Sequence, residues 1–291
     1  MFEKMTKNQK ALAGFAVSYV AYGAMFLGPV VGLPDAAGKF YGKPTTSALT
    51  QSAATWTGLG AVILGVDLLF VATNGSKNTA AWTLVANVCG CFMRLGVFAA
   101  QGSKAAGGSL VANEYVQGLT ITLVITFASL WCLSDGVGKV KNPVMGCDGL
   151  THGLLLFVAA FYAAYNAMFF FTDFVAKQYV VPKSGLEPAG VAMMAWNMTM
   201  WFPIMLNMLA VLAAAPAKEM RRFCLVRVGA IAACIYVMHS EAAITVPAEL
   251  TNGYVGQSVA LCALVCAGFG DKIMPKKAKR APTRAAAKKR K

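Results

Sequence analysis

The sequence predicts an all-α integral membrane protein of about eight transmembrane helices, arranged as two four-helix tandem repeats. Three observations carry that reading. Charged residues make up 13% of the 291-residue chain and hydrophobic residues 57%, with a mean hydropathy of +0.58. A soluble domain carries about 25% charged residues, so this chain lacks the charge to cover a surface facing water. Its apolar residues fall in long, nearly uncharged runs of about the 20 residues that a bilayer demands. Finally, Tyr19-Val-Ala-Tyr-Gly-Ala-Met-Phe26 returns as Tyr162-Ala-Ala-Tyr-Asn-Ala-Met-Phe169. Across 16–26 against 159–169, seven of eleven positions are identical.

Residues 1–10 form a polar segment with three lysines, and 11–33 is an uncharged first span. It exceeds the 7–15 apolar residues of a secretory leader, and its counterpart lies deep in the chain, so it reads as a membrane helix. Further spans fall near 53–73, 79–100, 116–134, 150–171, 191–214, 223–240 and 253–270. The last is the weakest, because Gly253, Gly256, Gly268 and Gly270 lower helix propensity, although glycine is commoner in membrane helices than in soluble ones. The organisation is then a cytosolic segment (1–10), a first repeat (11–134), a cytosolic linker (135–149), a second repeat (150–270) and a disordered basic cytosolic tail (271–291).

Lysine and arginine placement sets the orientation. With the N-terminus in the cytosol, the cytosolic segments hold nineteen basic residues and the opposite side five, with Arg94 and Arg227 inside spans. Both termini are therefore expected in the cytosol. Four helices per copy, an even number, give both copies the same orientation, as in parallel repeats about an axis along the membrane normal. Trp56 and the apolar run after it match Trp201 and its run, after a two-residue difference in the preceding loop.

At about 100° per residue, Tyr19, Tyr22 and Phe26 form one stripe of the first helix. Ala21, Ala24 and Gly28 lie opposite. Small residues let helix backbones approach in lipid, so the small face is expected against a neighbour. The aromatic stripe, repeated as Tyr162, Tyr165 and Phe169, is expected either to pack or to line a ligand site between the copies. Asn166 stands where the first copy has Gly23.

Ionisable residues inside spans are costly and point to function. Asp67, Arg94, Arg227 and His239 qualify. Asp67 and Arg94 lie on consecutive helices but differ in depth by roughly 14 Å at 1.5 Å per residue, which argues against a direct pair. Arg227, one turn into its span, is expected to snorkel to the headgroups. Arg94 aligns with His239, and the two read as interfacial anchors or as a pair that holds an anionic group. Asn87, Asn197 and Asn207 are expected to bond helices together. The candidate ligand-binding residues are therefore Tyr22, Tyr165, Asn166, Asp67, Arg94 and His239.

The two histidines exclude a cytochrome with several His-ligated haems. No HExxH, GxSxG or phosphate loop is present, and no Cys/His cluster has zinc spacing. No catalytic residue, metal or cofactor is therefore assigned. Lys288 and Lys289, fourth and third from the end, resemble the dilysine retrieval signal of endoplasmic-reticulum membrane proteins. The same tail suits anionic lipid headgroups, at about 1 kcal/mol per basic residue; nucleic acid is the least favoured partner. The leading function is binding or transport of a small or lipid-like ligand. The alternatives are a lipid-modifying membrane enzyme using Asp67 or His239, and a non-catalytic scaffold subunit. The oligomeric state is not assigned. In this orientation neither Asn74-Gly-Ser76, in a short cytosolic loop, nor Asn197-Met-Thr199, inside a helix, carries a glycan. Glycosidase treatment of the expressed protein should leave its gel mobility unchanged, and a shift would overturn the orientation.

Overall fold

A computed structural model describes residues 4–27, 48–103, 110–134, 136–137, 150–168, 171, 174, 177–180, 188–240, 242 and 245–273. The tail with Lys288 and Lys289, most of the 135–149 linker, Gly28 and Phe169 lie outside the described residues. Among the described residues there are eight long helices: α1 Lys7–Phe26, α2 Ala48–Asn74, α3 Lys77–Gln101, α4 Ala112–Leu133, α5 Leu150–Met168, α6 Pro188–Ala214, α7 Ala217–Ser240 and α8 Pro247–Ile273. Only two isolated β-bridges accompany them. Six helices (α2, α3, α4, α6, α7 and α8) are long and apolar enough to cross a membrane. The other two are those that carry the repeated motif. Lys7, Gln9 and Lys10 dilute the hydropathy of α1, and the apolar stretch of α5 described here, His152–Met168, is shorter. The glycine-rich α8 is a full 27-residue helix.

Capping fixes the helix starts. At α1, Gln9 N donates to Thr6 Oγ1 while Thr6 N donates to Gln9 Oε1, satisfying two backbone donors reciprocally. At α3, Thr79 N donates to Ser76 Oγ. Long-range bonds then sort the ends of the bundle. Gln9 Nε2 donates to Gly75 O, Lys7 Nζ to Trp131 O, and Ser76 N to Glu219 Oε2. The start of α1, the α2–α3 turn, the end of α4 and the start of α7 therefore share one face. At the other face Val246 N donates to Gln178 O, and Gln101 Nε2 donates to Ala192 O. Successive helices alternate in direction.

The centre of the bundle is α2 against α6. In their apolar windows 67% and 78% of residues are buried, against 22–28% in α4, α7 and α8. Around this pair, α1 lies on α2 and α5 on α6; α3 pairs with α4, and α7 with α8; α3 crosses to α6, and α7 crosses to α2. Large apolar side chains such as Val17, Phe127, Trp131, Phe157 and Val255 face outward. In water such a surface would be a liability; in lipid it is the ordinary exterior.

Tight packing at the centre depends on glycine. A Cβ on Gly23 would stand 2.6 Å from Gly58 O and 2.8 Å from Val62 Cγ2, and one on Gly65 would stand 2.8 Å from Ala16 O. Across α2 and α6, Trp201 covers Gly60, donates through Nε1 to Trp56 O at 3.0 Å and meets the Trp56 ring edge-on at 5.6 Å. The expected small face of α1 is thus corrected. Ala21 and Ala24 are exposed, and the helix turns its other side inward, with Leu12, Ala16, Tyr19, Gly23 and Phe26 buried. Spacings of three and four put Ala16 and Gly23 on the same stripe as the aromatics, so one face supplies both close approach and bulk.

Gly23→Val forces α1 off α2 and is expected to cost about 1–3 kcal/mol by overpacking, read as a lower thermal unfolding midpoint in detergent. Ala24→Val, on the outer face, should leave the midpoint unchanged.

Candidate functional site

A cavity of about 230 Å³ lies among α5, α6, α7 and α8, bordered by Trp56 and Ile63 of α2. That is well above the space one buried water requires. Each helix contributes one stripe at helical spacing. From α5 come Val158, Phe161, Tyr162, Tyr165 and Asn166; from α6, Asn197, Trp201, Met205 and Met208. From α7 come Arg227, Ala230, Ile231, Cys234 and Met238. From α8 the stripe runs from Glu249 through Gly253, Gly256, Gln257 and Ala260 to Leu264, about 22 Å along the axis.

The cavity opens where glycine gives way to asparagine. In α1, Gly23 seats the helix on the Gly58 backbone. At the matching position of the motif α5 has Asn166, which lines the cavity and donates to Tyr162 O of its own helix at 2.7 Å. A side chain there needs room that α1 does not need, and α5 makes less close contact with α6 than α1 makes with α2.

The wall is aromatic and the polar groups are few. Phe161 and Tyr165 stack at 6.3 Å, and Tyr162 meets each edge-on. Tyr165 Oη donates to Gln178 Oε1 at 2.9 Å. Asn197 Oδ1 and Gln257 Oε1, both buried, have no hydrogen-bond partner among the described residues. Buried polar atoms usually have a partner; here two amide oxygens without one, on α6 and α8, belong to residues that line the same cavity and are free to accept.

The floor is an ion pair. Arg227 Nη2 lies 2.6 Å from Asp67 Oδ2, with both side chains buried, and the same nitrogen donates to Ile204 O at 2.8 Å. Arg227 lines the cavity; Asp67 stands behind it on α2. Arg227 therefore does not snorkel. Its carboxylate partner removes the reason to reach for headgroups, because a buried charge with a counter-charge and a carbonyl no longer requires water.

A second buried polar chain occupies the first half. Arg94 Nη2 donates to Tyr19 Oη at 3.1 Å, Tyr19 Oη donates to Asn87 Oδ1 at 3.2 Å, and Asn87 Nδ2 donates to Ser129 Oγ at 3.2 Å. The guanidinium also lies 5.1 Å from the Tyr19 ring centroid. Its contact to Thr199 O, at 3.5 Å, follows from Pro203. Proline lacks the N–H that would bond to the carbonyl four residues earlier, and Arg94 stands at that freed oxygen. Arg94 is thus a core residue joining α1, α3 and α6, not an interfacial anchor.

The sequence-predicted residues consequently fall in several places. Tyr165 and Asn166 line the cavity. Tyr22 is held elsewhere: its Oη accepts from Trp196 Nε1 at 2.5 Å, and its ring lies 4.8 Å from Phe26. Asp67 meets Arg227 and not Arg94, as the depth argument required. His239 is exposed, 3.5 Å from Tyr254 Oη. Of the three asparagines expected to bond helices, Asn87 does so, while Asn197 and Asn207 have orphan buried atoms. Sequence reasoning missed Gln178, Glu249 and Gln257. Gln257 carried a signal, as a polar residue on the Gly253–Gly256–Ala260 face of an otherwise apolar span. Among the described residues no group of His, Cys, Asp and Glu has the makings of a metal site. Comparison with known protein families, with curated proteins and with solved structures finds no match to this chain.

Removing one partner of the buried pair leaves an uncompensated charge. Asp67→Leu or Arg227→Met alone is expected to destabilise by about 3–5 kcal/mol, whereas the double variant should recover most of that loss. A double-mutant cycle of unfolding in detergent reads the coupling; additive losses would show that the pair carries none.

Proposed function

We propose that this multi-pass helical membrane protein binds, and by rocking one half against the other moves, a small, largely apolar ligand in the α5–α8 cavity. The observation that carries the reading is the pair of orphan amides, Asn197 and Gln257, on the wall of an aromatic cavity. Ligand sites are concave and mostly apolar, with a few placed polar groups, and this cavity has that composition.

The packing supports two tandem four-helix copies: α1 on α2 corresponds to α5 on α6, and α3 with α4 to α7 with α8. Contact between Trp56 and Trp201, equivalent by sequence, is what a two-fold axis near them would produce. In this reading one copy is closed by glycine and serves as a frame, and the other is opened by Asn166 and holds the ligand. Both termini in the cytosol, retrieval through Lys288 and Lys289 and attachment of the tail to anionic lipid complete the proposal. A lipid-modifying enzyme has less support, because Asp67 is committed to Arg227 and His239 is exposed and does not line the cavity.

The test uses a brominated fatty alcohol, 8-bromooctan-1-ol, added to the protein in detergent. Tryptophan emission should be quenched saturably in the native protein through Trp56 and Trp201. In Ala230→Phe, which fills the cavity, only non-saturable quenching by partition should remain. Equal saturable quenching in both would remove the cavity as the site.

A further inference from the structure

Resting on the reading of the cavity as a ligand site, we infer that its occupant is a small organic cation, held between Glu249 and the rings of Phe161, Tyr162 and Tyr165.

Charge balance is the first argument. Among the described residues, the charged side chains lining the cavity are Arg227 and Glu249. Arg227 is neutralised by Asp67 at 2.6 Å. Glu249 has no ion pair or hydrogen bond to its side chain among the described residues. Among the described residues the cavity therefore carries one negative charge without a counter-ion, between low-dielectric walls that focus its field.

Geometry is the second. Tyr165 Oη donates to Gln178 Oε1, Gln178 O accepts from Val246 N, and Glu249 follows three residues after Val246 in the first turn of α8. The aromatic stripe of α5 and the carboxylate of α8 are thus tied to the same end of the cavity. Three rings at stacked and edge-on angles offer π-faces in different directions, the arrangement that suits an alkylated ammonium. A fully alkylated, quaternary ammonium has no N–H to donate, so rings and one carboxylate are all it needs. Deeper in, the amide oxygens of Asn197 and Gln257 are left to accept from a hydroxyl or N–H on the same ligand. The expected ligand is therefore an ammonium head with a short body ending in a hydrogen-bonding group.

Three probes of one shape separate charge from fit: choline, its neutral carbon isostere 3,3-dimethylbutan-1-ol, and the anion 3,3-dimethylbutanoate. Each is titrated against tryptophan emission of the full chain in a non-ionic maltoside detergent. Choline should bind about tenfold more tightly than the alcohol, and the carboxylate most weakly. In Glu249→Gln, with unchanged thermal unfolding, the preference for choline should fall to about threefold, the share that the rings alone supply. Equal binding of choline and the alcohol to the native protein, or a preference for the carboxylate, would overturn the cation while leaving the cavity as a ligand site. An unchanged choline preference in Glu249→Gln would overturn the role of this residue. Binding of none of the three by folded protein would count against the cavity itself, and the inference would fall with it.

Discussion

The ion pair between Asp67 and Arg227 is the contact on which the rest of this bundle turns. Two charges are held 2.6 Å apart where neither has water. In a membrane interior that is tolerable only if each supplies the other's counter-charge. The pair joins α2 to α7, and so ties the helices that α1 caps to the helices that enclose the cavity. It also sets the cavity's floor, since Arg227 is the deepest charge there and its guanidinium is already committed. Any ligand above it meets a neutral base and a negative rim.

Glycine chemistry accounts for the difference between the halves. Gly23, Gly58 and Gly65 let α1 and α2 touch backbone to backbone, leaving no room between them. Asn166 of α5 and Met205 and Met208 of α6 line the cavity instead. The first half joins buried polar groups in the chain from Arg94 through Tyr19 and Asn87 to Ser129. The second leaves Asn197 and Gln257 unspent.

Much of this was legible from the residues. The apolar windows located the helices, 79–100 becoming Lys77–Gln101 and 191–214 becoming Pro188–Ala214. The spans 223–240 and 253–270 began six residues late because their first turns are polar, and the helices in 11–33 and 150–171 are not among the six long apolar ones. The repeated motif drew attention to α1 and α5, and Asn166 was already visible as the place where they part. Side-chain partners were less legible, because they depend on which helices are neighbours, and periodicity does not say. Arg227 was read by its distance from a helix end, without α2 beside it. The same depth count that separated Asp67 from Arg94 would have matched Asp67 to Arg227, had α2 and α7 been known to touch. The inward face of α1 was misjudged because small and large residues were treated as opposing sides, when spacings of three and four put them on one stripe. Glu249 and Gln178 gave no signal, since one reads as a helix-start acid and the other as a loop residue.

The most direct test of the account is a structure determined by electron microscopy in a lipid nanodisc, inspected between α5 and α8. The account predicts non-protein density against Asn197, Gln257 and Tyr165, with Asp67 and Arg227 still paired beneath it. A collapsed interface in which α5 packs on α6 as closely as α1 on α2, or a Tyr165 turned to lipid, would contradict it.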